Sequence, residues 1–179
     1  MAKYPYDPLS HPYGLFQVTA LVALRFAIGW HFFYEGLSKI TNPYWTSAGY
    51  LDASQGFAAD WFEWLVTDPG RLALVDALNK WGLLILGLLL MLGLFTRTAT
   101  VLAIVLLALY YIAAPPWVGF EYSFPQEGAY VIVNKNLVEL FALFVTLMFP
   151  TGRLIGLDRL IWWYRNPAPP EPVVADQYA

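Results

Sequence analysis

The 179-residue sequence contains no cysteine. That single absence excludes disulfides, thiolate nucleophiles, CxxC redox pairs and iron–sulfur ligation. Charge is scarce too: Asp, Glu, Lys and Arg make up 13% of residues, about half the roughly 25% of an average soluble domain. Histidine is limited to His11 and His31. There is no phosphate-binding loop, no dinucleotide fingerprint and no nucleophile elbow. The net charge of −3 argues against a nucleic-acid partner.

What remains is apolar and aromatic: 59% of the residues are hydrophobic and 18% are Phe, Trp or Tyr. A bilayer-crossing helix needs about 20 mostly apolar residues. Four segments meet that demand, at about 15–36, 78–95, 98–117 and 129–149. The sequence therefore predicts an all-α, integral membrane four-helix bundle within a single domain, residues 1–166. Residues 167–179, "PAPPEPVVADQYA", read as an extended proline-rich tail. The N-terminus lacks the pattern of a cleaved signal peptide, so the first apolar run reads as a retained span.

The loops add detail. Residues 41–77 are too long for a simple connection. Within them Phe57, Trp61, Trp64 and Leu65 fall at helical spacing, with Asp60 and Glu63 elsewhere, which predicts an amphipathic interfacial helix. Asp68 followed by Pro69 reads as the cap and first turn of the helix leading into the second span. The long loop and the aromatic segment after Pro115 read either as a lid or as a partner-docking surface. Lys3, Arg97, Arg153, Arg159 and Arg165 fall on one side of the spans and Lys39, Arg71, Lys80 and Lys135 on the other. The first group clusters in short segments beside the spans, which predicts an inner membrane of a prokaryote with both termini cytoplasmic. This topology puts His11 and His31 on opposite faces and so excludes two-histidine haem ligation within the chain.

The chemistry-bearing residues concentrate in "RFAIGWHFFYEGLSKI", 25–40. A mid-membrane arginine costs roughly 2.5–3.5 kcal/mol on insertion scales, so Arg25 should face inward and find a partner. Arg25, Gly29, Phe32 and Gly36 share one helical face, and the glycines admit a close neighbour. His31, Glu35 and Lys39 form a second stripe, in which Glu35 can pair with His31 and Lys39. Lys135 and Glu139 repeat the spacing in the fourth span, as a local pair. Lys39 and Lys80 are expected to snorkel towards the interface. With Asn79, Lys80, Tyr110 and Tyr111, these residues place a polar pocket at one end of the bundle. A histidine beside a carboxylate suits proton transfer. His31, Glu35 and Glu139 are a weak set for a metal, and no haem, metal or iron–sulfur centre is expected.

Three features, namely the Arg–Gly–Gly–Lys spacing of the first helix, the "GLFTR" hairpin and the "PTGRLIGLD" exit from the fourth, resemble the DoxX/DoxD family of four-helix membrane proteins. The similarity spans Phe16 to Ile161. The long loop with "NPYWTSAGYL" resembles the DoxD-like subunit of thiosulfate:quinone oxidoreductase. The resemblance implies a membrane subunit of a quinone-linked redox complex, accompanied by other membrane or extracytoplasmic subunits and by lipid. On that reading His31, Glu35 and Glu139 are the catalytic proton-handling groups. Arg25, Tyr110, Tyr111 and Asn136 contact or charge-balance the quinone. The competing reading is a non-catalytic accessory or structural subunit; a small-molecule or lipid transporter is a third.

Overall fold

The computed structural model describes residues 14–122, 130–149 and 151–166. His11 and the 167–179 tail lie outside them. Among the described residues the regular structure is helical, apart from one isolated antiparallel bridge between Tyr130 and Val133.

α1 covers Leu15–Thr41, running past the expected end near Gly36 until Asn42 and Pro43 stop it. The change to polar residues at Ser38 marks a change of surroundings, not of backbone. α2 (Ala48–Asp52) and α3 (Ala59–Thr67) follow as short helices. α4 covers Pro69–Leu92. Its start is the one expected: the Asp68 Oδ1 accepts the Arg71 N–H at 2.9 Å, with Pro69 in the first turn. It ends at Gly93, whose φ of 64° is the left-handed conformation that only glycine adopts freely. After the turn 93–95, α5 covers Thr96–Ala113 and stops before Pro115 and Pro116.

α6 covers Lys135–Met148. The expected fourth span began near residue 129. Instead, Tyr130–Val133 form a turn with Val131 at a φ of 60°, and Asn134 caps the helix by accepting the Leu137 N–H at 3.0 Å. The 14-residue helix is about 21 Å long, short of the roughly 30 Å hydrocarbon core. Among the described residues three helices, α1, α4 and α5, are long and apolar enough to cross a membrane. α7 (Thr151–Leu154) and α8 (Leu157–Arg165) are the last helices among the described residues.

α1 packs along α4, α4 along α5, α5 along α6, and α6 returns to α1. The α1–α4 seam is the tightest because it is made of glycine. A Cβ on Gly29 would stand 2.9 Å from the Met91 backbone nitrogen, and one on Gly87 would stand 2.7 Å from the Gly29 carbonyl oxygen. The expected Arg25–Gly29–Phe32–Gly36 face is the buried face of α1. Phe32, Leu90, Ala103 and Leu143 form the core between the helices.

α2 and α3 lie across the end of α4 and α5. Leu51, Phe62 and Ala113 form a second buried cluster there. The Ser47 N–H and hydroxyl both donate to Asp76 Oδ1, at 2.8 and 2.5 Å. The Tyr50 hydroxyl donates to the Tyr110 carbonyl at 2.8 Å, and the Ser54 hydroxyl to the Ala113 carbonyl at 2.7 Å. In α3 the inward anchor is Phe62; Phe57, Trp61 and Trp64 are exposed.

At the other end Arg25 is buried, with 3% of its surface exposed. Its Nη2 donates to the Ile155 carbonyl at 2.8 Å. Asp158 binds the start of α5, accepting the Phe95 N–H at 2.7 Å and the Thr96 N–H at 2.9 Å. The Asp158 N–H donates to the Gly93 carbonyl at 2.9 Å. The Asp158 charge acts attractively on Arg25. These contacts tie α1, the α4–α5 turn and α8 together.

Candidate functional site

The antiparallel run of α1 against α4 and α6 brings the C-terminal half of α1, the N-terminal half of α4, the end of α5 and the start of α6 to one place. A cavity of about 260 Å³ lies there. Phe32, Leu83 and Leu107 form its apolar floor, and the segment Trp45–Ser47 with Tyr50 forms its rim. The polar groups within it are His31, Glu35, Lys39, Asn79, Tyr110, Lys135, Asn136 and Glu139.

Glu35 and Glu139, from different helices, therefore share one end of the molecule. His31 Nδ1 lies 2.8 Å from Glu139 Oε1, a bond between α1 and α6. The pairing within each helix was expected to be different. His31 pairs with Glu139 and not with Glu35, and Glu139 pairs across helices and not with Lys135. Sequence spacing fixes phase along one helix but not its rotation against another. The expected Glu35–Lys39 pair is present, at 3.2 Å. Lys39 does not snorkel to open solvent: its Nζ lies 5.3 Å from the Trp45 ring centre and 5.9 Å from that of Tyr110, the placement of a cation–π contact. Lys80 lies 5.1 Å from the same Trp45 ring.

Two buried polar atoms in the cavity are unsatisfied. The Asn79 side chain neighbours the Tyr110 phenol, but neither the Tyr110 hydroxyl nor Asn79 Oδ1 makes a well-formed hydrogen bond. Such atoms are costly to leave without a partner. Burial pushes the Tyr50 phenol at the rim well above its ordinary value, so it stays a neutral donor.

Two expected site residues lie elsewhere. Arg25 is six residues before His31, about 9 Å along the helix, and faces Ile155 and Gly93 at the far end. Tyr111 turns away from the cavity and donates to the Ile132 carbonyl at 2.7 Å. Conversely, Trp45, Ser47 and Tyr50 were not expected at the site. The run "NPYWTSAGY" directly after α1 carried the signal, since a polar-aromatic segment leaving a helix end is placed to cover it. Among the described residues no cluster of three or more His, Asp or Glu is arranged to hold a metal ion.

The family model described as DoxX matches residues 20–115, more than half of the chain. The chain belongs to the DoxX family. This DoxX family member is a membrane protein, and its three long apolar helices fall largely within the matched segment. The match includes His31, Glu35, Lys39, Asn79 and Tyr110 but stops before Glu139 and Asp158. No curated protein and no solved structure matches the chain.

Proposed function

We propose that the protein is a four-span, quinone-linked membrane subunit, with α6 and its flanking segments completing the fourth crossing and α3 lying in the interface plane. The observation carrying this reading is the His31–Glu139 pair in a cavity that also holds the unbonded Tyr110 hydroxyl and Asn79 Oδ1. An apolar cavity with a few convergent polar groups is the ordinary form of a small-molecule site.

Those residues fit a quinone. When bound, a quinone supplies an acceptor for two electrons and two protons, with a carbonyl oxygen on each side of a flat ring. The Tyr110 hydroxyl and the Asn79 side chain would hold one carbonyl oxygen by hydrogen bonds. The His31–Glu139 pair holds a transferable proton on the α6 side. Glu35, balanced by Lys39, is the second carboxylate able to exchange one, and Asn136 lines the same cavity. Phe32, Leu83 and Leu107 exclude water from the ring. The chain has no cysteine, and in this reading the electrons come from a small reduced sulfur compound or from a partner subunit. The setting is a prokaryotic inner membrane with both termini cytoplasmic, which Arg97, Arg153, Arg159 and Arg165 near one end of the helices support.

Trp45 lines the cavity, so a short-chain quinone titrated into the purified protein should quench it saturably. Trp45→Phe should remove that component. Tyr110→Phe and Glu139→Gln should each weaken the apparent affinity about tenfold or more, and His31→Ala should abolish quinone reduction in the assembled complex. Non-saturable quenching, equal in all four variants, would sink the proposal.

A second reading is a non-catalytic accessory subunit. It is favoured by the engagement of His31 with Glu139 of α6, and of Lys39 with Glu35, Trp45 and Tyr110, within the molecule. Stoichiometric recovery with other membrane subunits, and full activity of that assembly after His31→Ala, would support it.

A further inference from the structure

We propose that α8 is a docking surface for anionic phospholipid headgroups, lying in the headgroup plane of the leaflet at the Arg25 end. At about 100° per residue, Leu157, Leu160, Ile161, Trp163 and Tyr164 form one continuous side of α8. Asp158 projects from the opposite side to hold α5. The apolar side therefore faces away from the helices, and its exposure confirms this: Leu160 is 57% exposed, Trp163 48% and Tyr164 89%. A helix with one basic, partly buried side and an exposed aromatic-aliphatic side is the form of an interfacial helix.

Charge names the occupant. Arg153 and Arg165 are exposed and Arg159 is half-buried, and Arg97 in the first turn of α5 is exposed as well. The one carboxylate on α8, Asp158, is occupied by backbone N–H groups. Arg159 is held ready, its guanidinium 4.8 Å over the Trp163 ring and its Nη1 3.4 Å from the Leu154 carbonyl. The cationic groups thus border the exposed apolar side of α8. A soluble acidic partner would satisfy the arginines but leave that apolar surface wet. An anionic lipid leaflet satisfies both.

The test uses the full chain purified in detergent and titrated with phosphatidylglycerol, phosphatidylcholine or inorganic phosphate, with binding read by native mass spectrometry. Phosphatidylglycerol should bind saturably and in preference to phosphatidylcholine. Each basic residue at a membrane surface contributes about fivefold in affinity, so Arg153→Gln with Arg165→Gln should weaken binding about 25-fold. The corresponding double lysine variant should stay within about twofold of the parent. Because the chain has no cysteine, Tyr164→Cys can carry a single spin label. In phosphatidylglycerol vesicles the label should be accessible to oxygen and shielded from aqueous nickel. Equal binding of phosphatidylcholine, competition by inorganic phosphate, a water-exposed label, or a double glutamine variant that keeps its lipid affinity but loses self-association would each overturn the proposal.

Discussion

The two ends of the helical assembly handle charge in opposite ways. At the Arg25 end the interior charged groups bind backbone: Arg25 Nη2 the Ile155 carbonyl, and Asp158 the Phe95 and Thr96 N–H groups. At the cavity end the charged side chains pair with one another, His31 with Glu139 and Glu35 with Lys39, around open space. A charge bound by backbone is immobile and serves the fold. A charge bound by another side chain, beside a cavity, can change partner. The difference separates two charged clusters that composition alone makes look alike.

The largest way to break this contrast is to remove Asp158. Asp158→Ala deletes two charge-assisted hydrogen bonds at the start of α5, each of about 1.5–3 kcal/mol, and takes away the carboxylate that acts on Arg25. The expected result is a loss of about 3–5 kcal/mol in unfolding free energy, with α8 released, as read by thermal unfolding in lipid nanodiscs and by protease cleavage after Arg159. A wild-type melting temperature would show that this end is not the fastening described.

That fastening was only half legible in the sequence. The Arg25–Gly29–Phe32–Gly36 face, the Asp68 cap and the Glu35–Lys39 pair all follow from spacing within one helix, where 3.6 residues per turn fixes which side chains meet. The meeting of Glu35 with Glu139 followed from a chain that reverses between spans. Arg25 with Ile155 and His31 with Glu139 lie more than 100 residues apart, 130 and 108. Choosing them needs the rotation of α6 and α8 about their own axes, which no local pattern carries. α8 itself was hidden because its nine residues are too few and too polar to read as a span.

A smaller test sharpens the cavity side of the comparison. Glu139→Gln keeps a hydrogen-bond acceptor for His31 but removes the charge. His31 is 44% exposed at its side chain and Glu139 13%, so the expected stability loss is about 1 kcal/mol or less. Hydrogen exchange should rise on α1 and α6 and stay unchanged on α4. A loss as large as that of Asp158→Ala would mean that the cavity pair is also a fastening.

The smallest expected effect is at the rim. Tyr50→Phe loses one hydrogen bond to the Tyr110 carbonyl, about 1 kcal/mol. Because burial raises the folded-state value of this phenol above its ordinary value of 10.0, its contribution is complete below about pH 10 and is lost as the pH rises further. Unfolding followed between pH 8 and 11 should show a steeper alkaline loss in the parent than in Tyr50→Phe. Parallel curves would contradict the assignment.

The most direct test of the central claim is photolabelling with an azido-substituted short-chain quinone, followed by peptide mass spectrometry. The account predicts crosslinks confined to the cavity walls, at residues 31–39, 45–50, 79–83, 107–110 and 135–139, and suppressed by excess unlabelled quinone. Labelling spread along the outward faces of α4 and α5, or unaffected by the competitor, would contradict it.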